Sequence, residues 1–142
     1  MSNSTETSAL SDSFPEEWRM PLQPGLAKEC GLRTFGFVLY PTQVMAIAKK
    51  LGFDTRHGYS GCKDKVFDYL VDELPDAWRH LTYGSFQAGG NGPTIHAKIV
   101  FHNTNKNEEE RDRLPDMESI QLVYKILCAK EGPGWFLYDR VQ

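Results

Sequence analysis

The sequence predicts a small α+β fold: a small antiparallel or mixed sheet with two or three helices packed mainly on one face, in the order β-α-α-β-β-α-β. Three observations lead there. An aromatic, apolar run from Thr34 to Tyr40 has the length and residue types of a buried strand. The segment from Thr94 to Asn103 alternates with a period of two. Three other segments carry apolar residues at helical spacing between helix start and stop signals.

Taken in order, Pro41 stops the first strand and Thr42 is placed to N-cap a helix. Val44, Ile47, Ala48 and Leu51 fall on one face of it. Lys49 and Lys50 occupy the last turn and Gly52 follows, as helix C-termini favour. Residues 53–61 read as a loop. A second helix is expected from about Lys63, with Val66, Phe67, Leu70, Val71 and Leu74 as its stripe and Pro75 as its end. Pro75 opens a short turn from Asp76 to His80 with Trp78 facing inward.

A β-hairpin follows, Leu81 to Gln87 and Thr94 to Asn103, around the glycine-rich residues 88–93. In its second strand Ile95, Ala97, Ile99 and Phe101 take one face. His96, Lys98, Val100 and His102 take the other, expected to meet water or a cleft. Residues 104–113 read as a solvated connection. Pro115 suits the first position of a third helix, with Ile120, Val123, Tyr124 and Leu127 inward and Gly132-Pro133 as its stop. The same stretch also alternates from Ile120 to Cys128, so a strand competes there; the end signals and length favour the helix. Trp135 to Val141 forms a last strand or docked tail.

The 142 residues suit one core. Residues 1–13 are small and polar and are read as a disordered tail. Residues 14–29 form an extended arm rich in proline and aromatics, and residues 30–142 the single α+β domain. With a net charge of -3 and no basic run, the chain lacks the cationic surface that nucleic acid or anionic membrane requires. Three widely spaced cysteines, Cys30, Cys62 and Cys128, give neither a zinc nor a CxxC pattern. With no secretory leader legible, they point to free thiols in the cytoplasm. Neither a metal nor another cofactor is expected.

Familiar motifs fail on inspection. Gly84 and Gly89 have phosphate-loop spacing, but Gly90 and Asn91 stand where lysine and a hydroxyl residue are needed. Gly58-Tyr59-Ser60-Gly61-Cys62 lacks the second glycine and preceding strand of a nucleophile elbow. The candidate catalytic residues are therefore isolated ones. Cys62, set ahead of the second helix near Lys63 and Lys65, has surroundings that favour a thiolate. His96, Lys98 and His102 share a strand face, where histidine suits proton transfer near neutral pH. His96 and His102 are about 20 Å apart along the strand and cannot share one metal.

No catalytic motif is assembled. The expected function is a protein-interaction or ligand-binding domain, with self-association or partner capture through the arm 14–26, or a small-molecule ligand. The alternative is a small metal-free enzyme using general acid–base or thiol chemistry in a cleft between sheet and helices.

Overall fold

The structure, a computed structural model, describes residues 23–87 and 94–138; the side chains of residues 86–87, 94–96 and 138 fall outside that description. The tail 1–13, most of the arm 14–29 and the hairpin tip 88–93 also lie outside the described residues. The elements are α1 (Ala27–Cys30), β1 (Arg33–Leu39), α2 (Pro41–Lys50), α3 (Gly58–Glu73), a 3₁₀ turn (Asp76–Trp78), β2 (His80–Gln87), β3 (Thr94–Thr104), α4 (Glu108–Asp112), α5 (Met117–Ile126) and β4 (Gly134–Tyr138). The α+β fold and the order β-α-α-β-β-α-β are those read from the sequence, with the short helices α1 and α4 added.

All strand pairings are antiparallel, and they close into a ring in the order β1-β3-β2-β4. The last seam is short: Gly84 faces Tyr138 and Ser85 faces Leu137. Glycine suits that seam, because a Cβ at Gly84 would stand 2.7 Å from Ile99 Cγ1 and 3.1 Å from the Leu137 carbonyl oxygen. Gly36, beside a bulge between Phe35 and Gly36, has its missing Cβ directed at the Val100 carbonyl oxygen. Ring closure was not legible in the sequence, since nothing local to β4 announces its two partners.

Strand alternation divides the apolar residues between two clusters. Phe35, Phe37, Leu39 and Val100 face the helices. They pack with Val44, Ile47 and Ala48 of α2, Cys62, Val66 and Leu70 of α3, Leu74 just after it, and Ile120, Val123 and Leu127 at α5. Trp78 is fully buried among them, 5.8 Å from the Phe37 ring, with its indole N–H donating to Ser119 Oγ at 2.8 Å. Inside the ring Val38, Ala97 and Ile99 form a second cluster with Tyr40, Phe101 and Phe136.

That division corrects the expected hairpin face. Val100 is buried beneath the helices, and the His102 imidazole packs 5.3 Å from Trp78. The row that includes Lys98 and His102 therefore meets the helix layer rather than open water. Ile99 and Ala97, opposite, fill the ring. Both faces of β3 are apolar at their centre because a closed ring buries its inside while helices cover its outside.

Helix ends differ from the sequence reading in four places. The helix α2 starts at Pro41, with Tyr40 rather than Thr42 at the N-cap. Proline suits that first position because its missing N–H has no helical acceptor. The start of α3 is Gly58, so Cys62 sits inside the helix instead of ahead of it. The buried stripe is Cys62, Val66, Leu70 and Leu74, and Val71 is exposed. Asp116, not Pro115, opens α5, its side chain accepting from Ser119 N. That helix ends at Ile126, well before Gly132-Pro133.

The connection after β3 is also more than a solvated loop. Residues Glu108–Asp112 are helical, capped by Asn107, and Asn105 is fully buried. Asn105 accepts from Arg33 N at 2.6 Å and donates to Gly25 O at 2.7 Å and Gly31 O at 3.1 Å. It pins the segment entering β1, and at that segment's end Ala27–Cys30 is one helical turn. No described helix is long and apolar enough to cross a membrane.

Candidate functional site

Where β1 leaves the ring and β4 enters it, the ring's mouth is left open. A pocket of about 180 Å³ lies there. Val38 and Phe136, from the inner cluster, form its apolar end. Tyr40, Thr42, Gln43 and Ala46 come from the β1–α2 junction, and residues 128–132 from the α5–β4 connection. Barrel mouths are a recurrent location for ligand sites, because strands hold the walls while connections supply polar groups.

The two sides are tied together by Gln43. Its Nε2 donates to the Leu127 carbonyl at 3.0 Å, and its Oε1 accepts from Tyr40 N at 3.1 Å. The side chain is buried, so both bonds are shielded from competing water. Leu127 anchors the far side in the core, where it is wholly inaccessible. The pocket therefore rests on the main core at both walls.

Beyond Leu127 the chain turns sharply. Cys128 N donates to Lys125 O at 3.1 Å and Ala129 N to Tyr124 O at 3.0 Å, the paired bonds of a Schellman stop. That stop requires a left-handed residue, usually glycine; here it is Cys128 at φ 51°. The turn sends residues 129–132 back across the mouth, bringing Glu131 to Tyr40. The Tyr40 hydroxyl donates to Glu131 Oε2 at 3.4 Å. Burial pushes the Tyr40 phenol above its ordinary value, and the Glu131 charge and hydrogen bond add to the shift. At neutral pH Tyr40 is a held donor beside a carboxylate. Lys130 supplies the opposite charge on the exposed rim.

The residues singled out from sequence lie elsewhere. Cys62 is buried, its thiol donating to the Asp54 carbonyl at 3.2 Å. The Lys98 ammonium lies 4.2 Å from the Tyr83 ring centre and 5.6 Å from that of Phe67, a cation–π arrangement. His102 Nδ1 lies 2.9 Å from Asn103 Oδ1, and Asn103 Nδ2 donates to the Glu110 carbonyl of α4. Lys98 and His102 stand four positions apart, about 13 Å along the strand. The His96 side chain lies outside the described residues. Cys62, Lys98 and His102 do not line the pocket. Among the described residues, no group of three metal-ligating side chains comes together.

Sequence reasoning missed Gln43, Glu131 and the pairing of Tyr40 with the 128–132 turn. Each was visible only as an ordinary residue, because some 90 positions separate the two walls. Compared with protein-family models, curated proteins and solved structures, the chain matches none.

Proposed function

We propose that this protein is a small-molecule binding domain whose ligand enters the ring's mouth between Tyr40 and Glu131. The pocket itself carries the reading. It is walled by β1, α2, β4 and the α5–β4 turn, it has an apolar end at Val38 and Phe136, and a few polar groups gather at its rim. That distribution, apolar body and sparse polar groups, is the usual one for ligand sites. A cavity of about 150 Å³ is enough to hold benzene, so one substituted ring is the appropriate ligand size. All three cysteines are unpaired, which supports a reducing compartment, the cytoplasm, as its place of action.

The test is a fragment titration of the isotope-labelled full chain, read by amide chemical shifts. Single-ring neutral fragments should move amides in residues 38–46 and 128–136. Ala46 is exposed on the pocket wall, so Ala46→Trp fills the space from outside the core and should abolish those shifts while leaving the remaining spectrum in place. Shifts of equal size in the filled variant would refute the pocket as the binding site. The enzymatic alternative gains no support from this pocket, since Cys62, Lys98 and His102 are not among its lining residues. The protein-interaction alternative rests on the arm 14–26, most of which lies outside the described residues.

A further inference from the structure

We infer that the ligand is a compact organic cation, a ring-sized apolar body carrying a protonated amine. This rests on the ligand-binding reading above and supplies its chemistry. Glu131 is the carboxylate on the pocket wall, and among the described residues no basic side chain is ion-paired with it. Its bond from the Tyr40 hydroxyl is 3.4 Å, long for an O–H···O contact. A carboxylate has about four acceptor positions, so one long bond leaves it able to receive further donors. A protonated amine offers those donors together with the compensating charge.

The walls favour the same ligand. Tyr40 and Phe136 are both among the residues lining the pocket, and an aromatic side chain attracts a cation within about 6 Å of its ring centre. Val38, Ala46 and Ala129 offer the apolar body its contacts. The charged side chains on the wall are Glu131 and Lys130, of opposite sign. Lys130 ends a long tether on the exposed rim, where its ammonium keeps its hydration. Glu131 is exposed as well, but its carboxylate accepts from the Tyr40 hydroxyl. The Tyr40 phenol stays protonated well beyond neutral pH, so it supports the carboxylate's charge instead of opposing it.

Three probes of one size separate the possibilities: benzylamine, benzyl alcohol and benzoate, titrated into the labelled full chain near neutral pH. Benzylamine should shift residues 38–46 and 128–136 saturably and bind roughly tenfold more tightly than benzyl alcohol, a difference a single charge-assisted contact supplies. Benzoate should produce no saturable shift there. Glu131→Gln should reduce benzylamine to the level of benzyl alcohol while the amide spectrum outside residues 38–46 and 128–136 keeps its native positions, which shows that the fold persists. Equal binding of amine and alcohol to the native chain would overturn the cation inference and leave the pocket reading standing. So would preferential binding of benzoate, which would give Lys130 the recognition role. Failure of all three to bind the folded chain would overturn the pocket reading itself and this inference with it.

Discussion

The Tyr40 hydroxyl donates to the Glu131 carboxylate at 3.4 Å across 91 positions of sequence. This contact joins the end of β1 to the turn before β4, across the open mouth of a ring whose inside holds Val38, Ala97 and Ile99. It also gives the mouth a titration signature. Burial is the largest single cause of the raised Tyr40 value, followed by the Glu131 charge and the Glu131 hydrogen bond. A phenol whose value rises on folding contributes stability that is complete below its unfolded value, about 10. That contribution is lost as pH climbs through the higher folded value. Phenolate absorbance of the native chain should therefore show a late component that Tyr40→Phe removes. Glu131→Gln should move that component down part of the way only, because burial remains. Tyr59 is raised too, by burial, so the difference between variants is the quantity to read.

Cys128 occupies a position that glycine fills more cheaply. A side chain in the left-handed region costs roughly 1 kcal/mol, and Cys128 bears that cost at φ 51°. Cys128→Gly should raise unfolding stability by up to about 1 kcal/mol, offset in part by glycine's greater unfolded-state entropy. Cys128→Ala should bring no such gain, since alanine keeps the strained Cβ. Denaturant midpoints of the two variants decide the matter; equal midpoints would show that the turn relaxes around the side chain.

Much of this architecture was legible because it is written locally. Val44, Ile47 and Ala48 on one face of α2, the alternation along β3, and Pro75 at the end of α3 each signal through neighbours a few positions away. The boundary errors arose where two local rules competed. Pro41 both ends a strand and begins a helix, and a non-glycine residue, Cys128, took the left-handed position that Gly132 seemed to offer. The pocket was illegible for a different reason. Gln43 bonds Leu127, and Tyr40 bonds Glu131, only because β4 returns beside β1. His96, Lys98 and His102 looked like a site because they alternate on one strand. The same alternation places Val100 in the core and His102 against Trp78, where packing accounts for the ring's position.

Ring closure depends on two glycines of unequal tolerance. Gly84→Ala meets the Ile99 side chain and one carbonyl oxygen, so part of the clash can be relieved by a rotamer change. Gly36→Ala meets the Val100 carbonyl and Phe101 Cα, which are backbone atoms held in the β1–β3 ladder. Overpacking of this kind costs typically about 1–3 kcal/mol. Gly84→Ala should fall within that range, and Gly36→Ala should lie at or beyond its upper end. Thermal unfolding of the pair measures the order. The reverse order would mean that the β2–β4 seam, rather than the bulge in β1, is the less forgiving part of the ring.

Asn105 holds the segment 25–33 through three hydrogen bonds of its fully buried amide. Leucine is similar in size but can neither accept from Arg33 N nor donate to the Gly25 and Gly31 carbonyls. Asn105→Leu would leave one backbone donor without its partner and remove a bond from each of two carbonyls. An unsatisfied buried group costs about 1–3 kcal/mol, so a loss of roughly 3 kcal/mol is expected if the segment stays in place. The segment has another course, which is to detach and hydrate, since α1 is a single exposed turn. Hydrogen exchange separates the two. Detachment should accelerate exchange at Ala27, whose N–H donates to the Asn105 carbonyl, while Val66 and Leu70 keep native protection. Uniform acceleration across α3 as well would place the cost in global stability, and would make this asparagine a keystone of the whole domain rather than a clasp for its first strand.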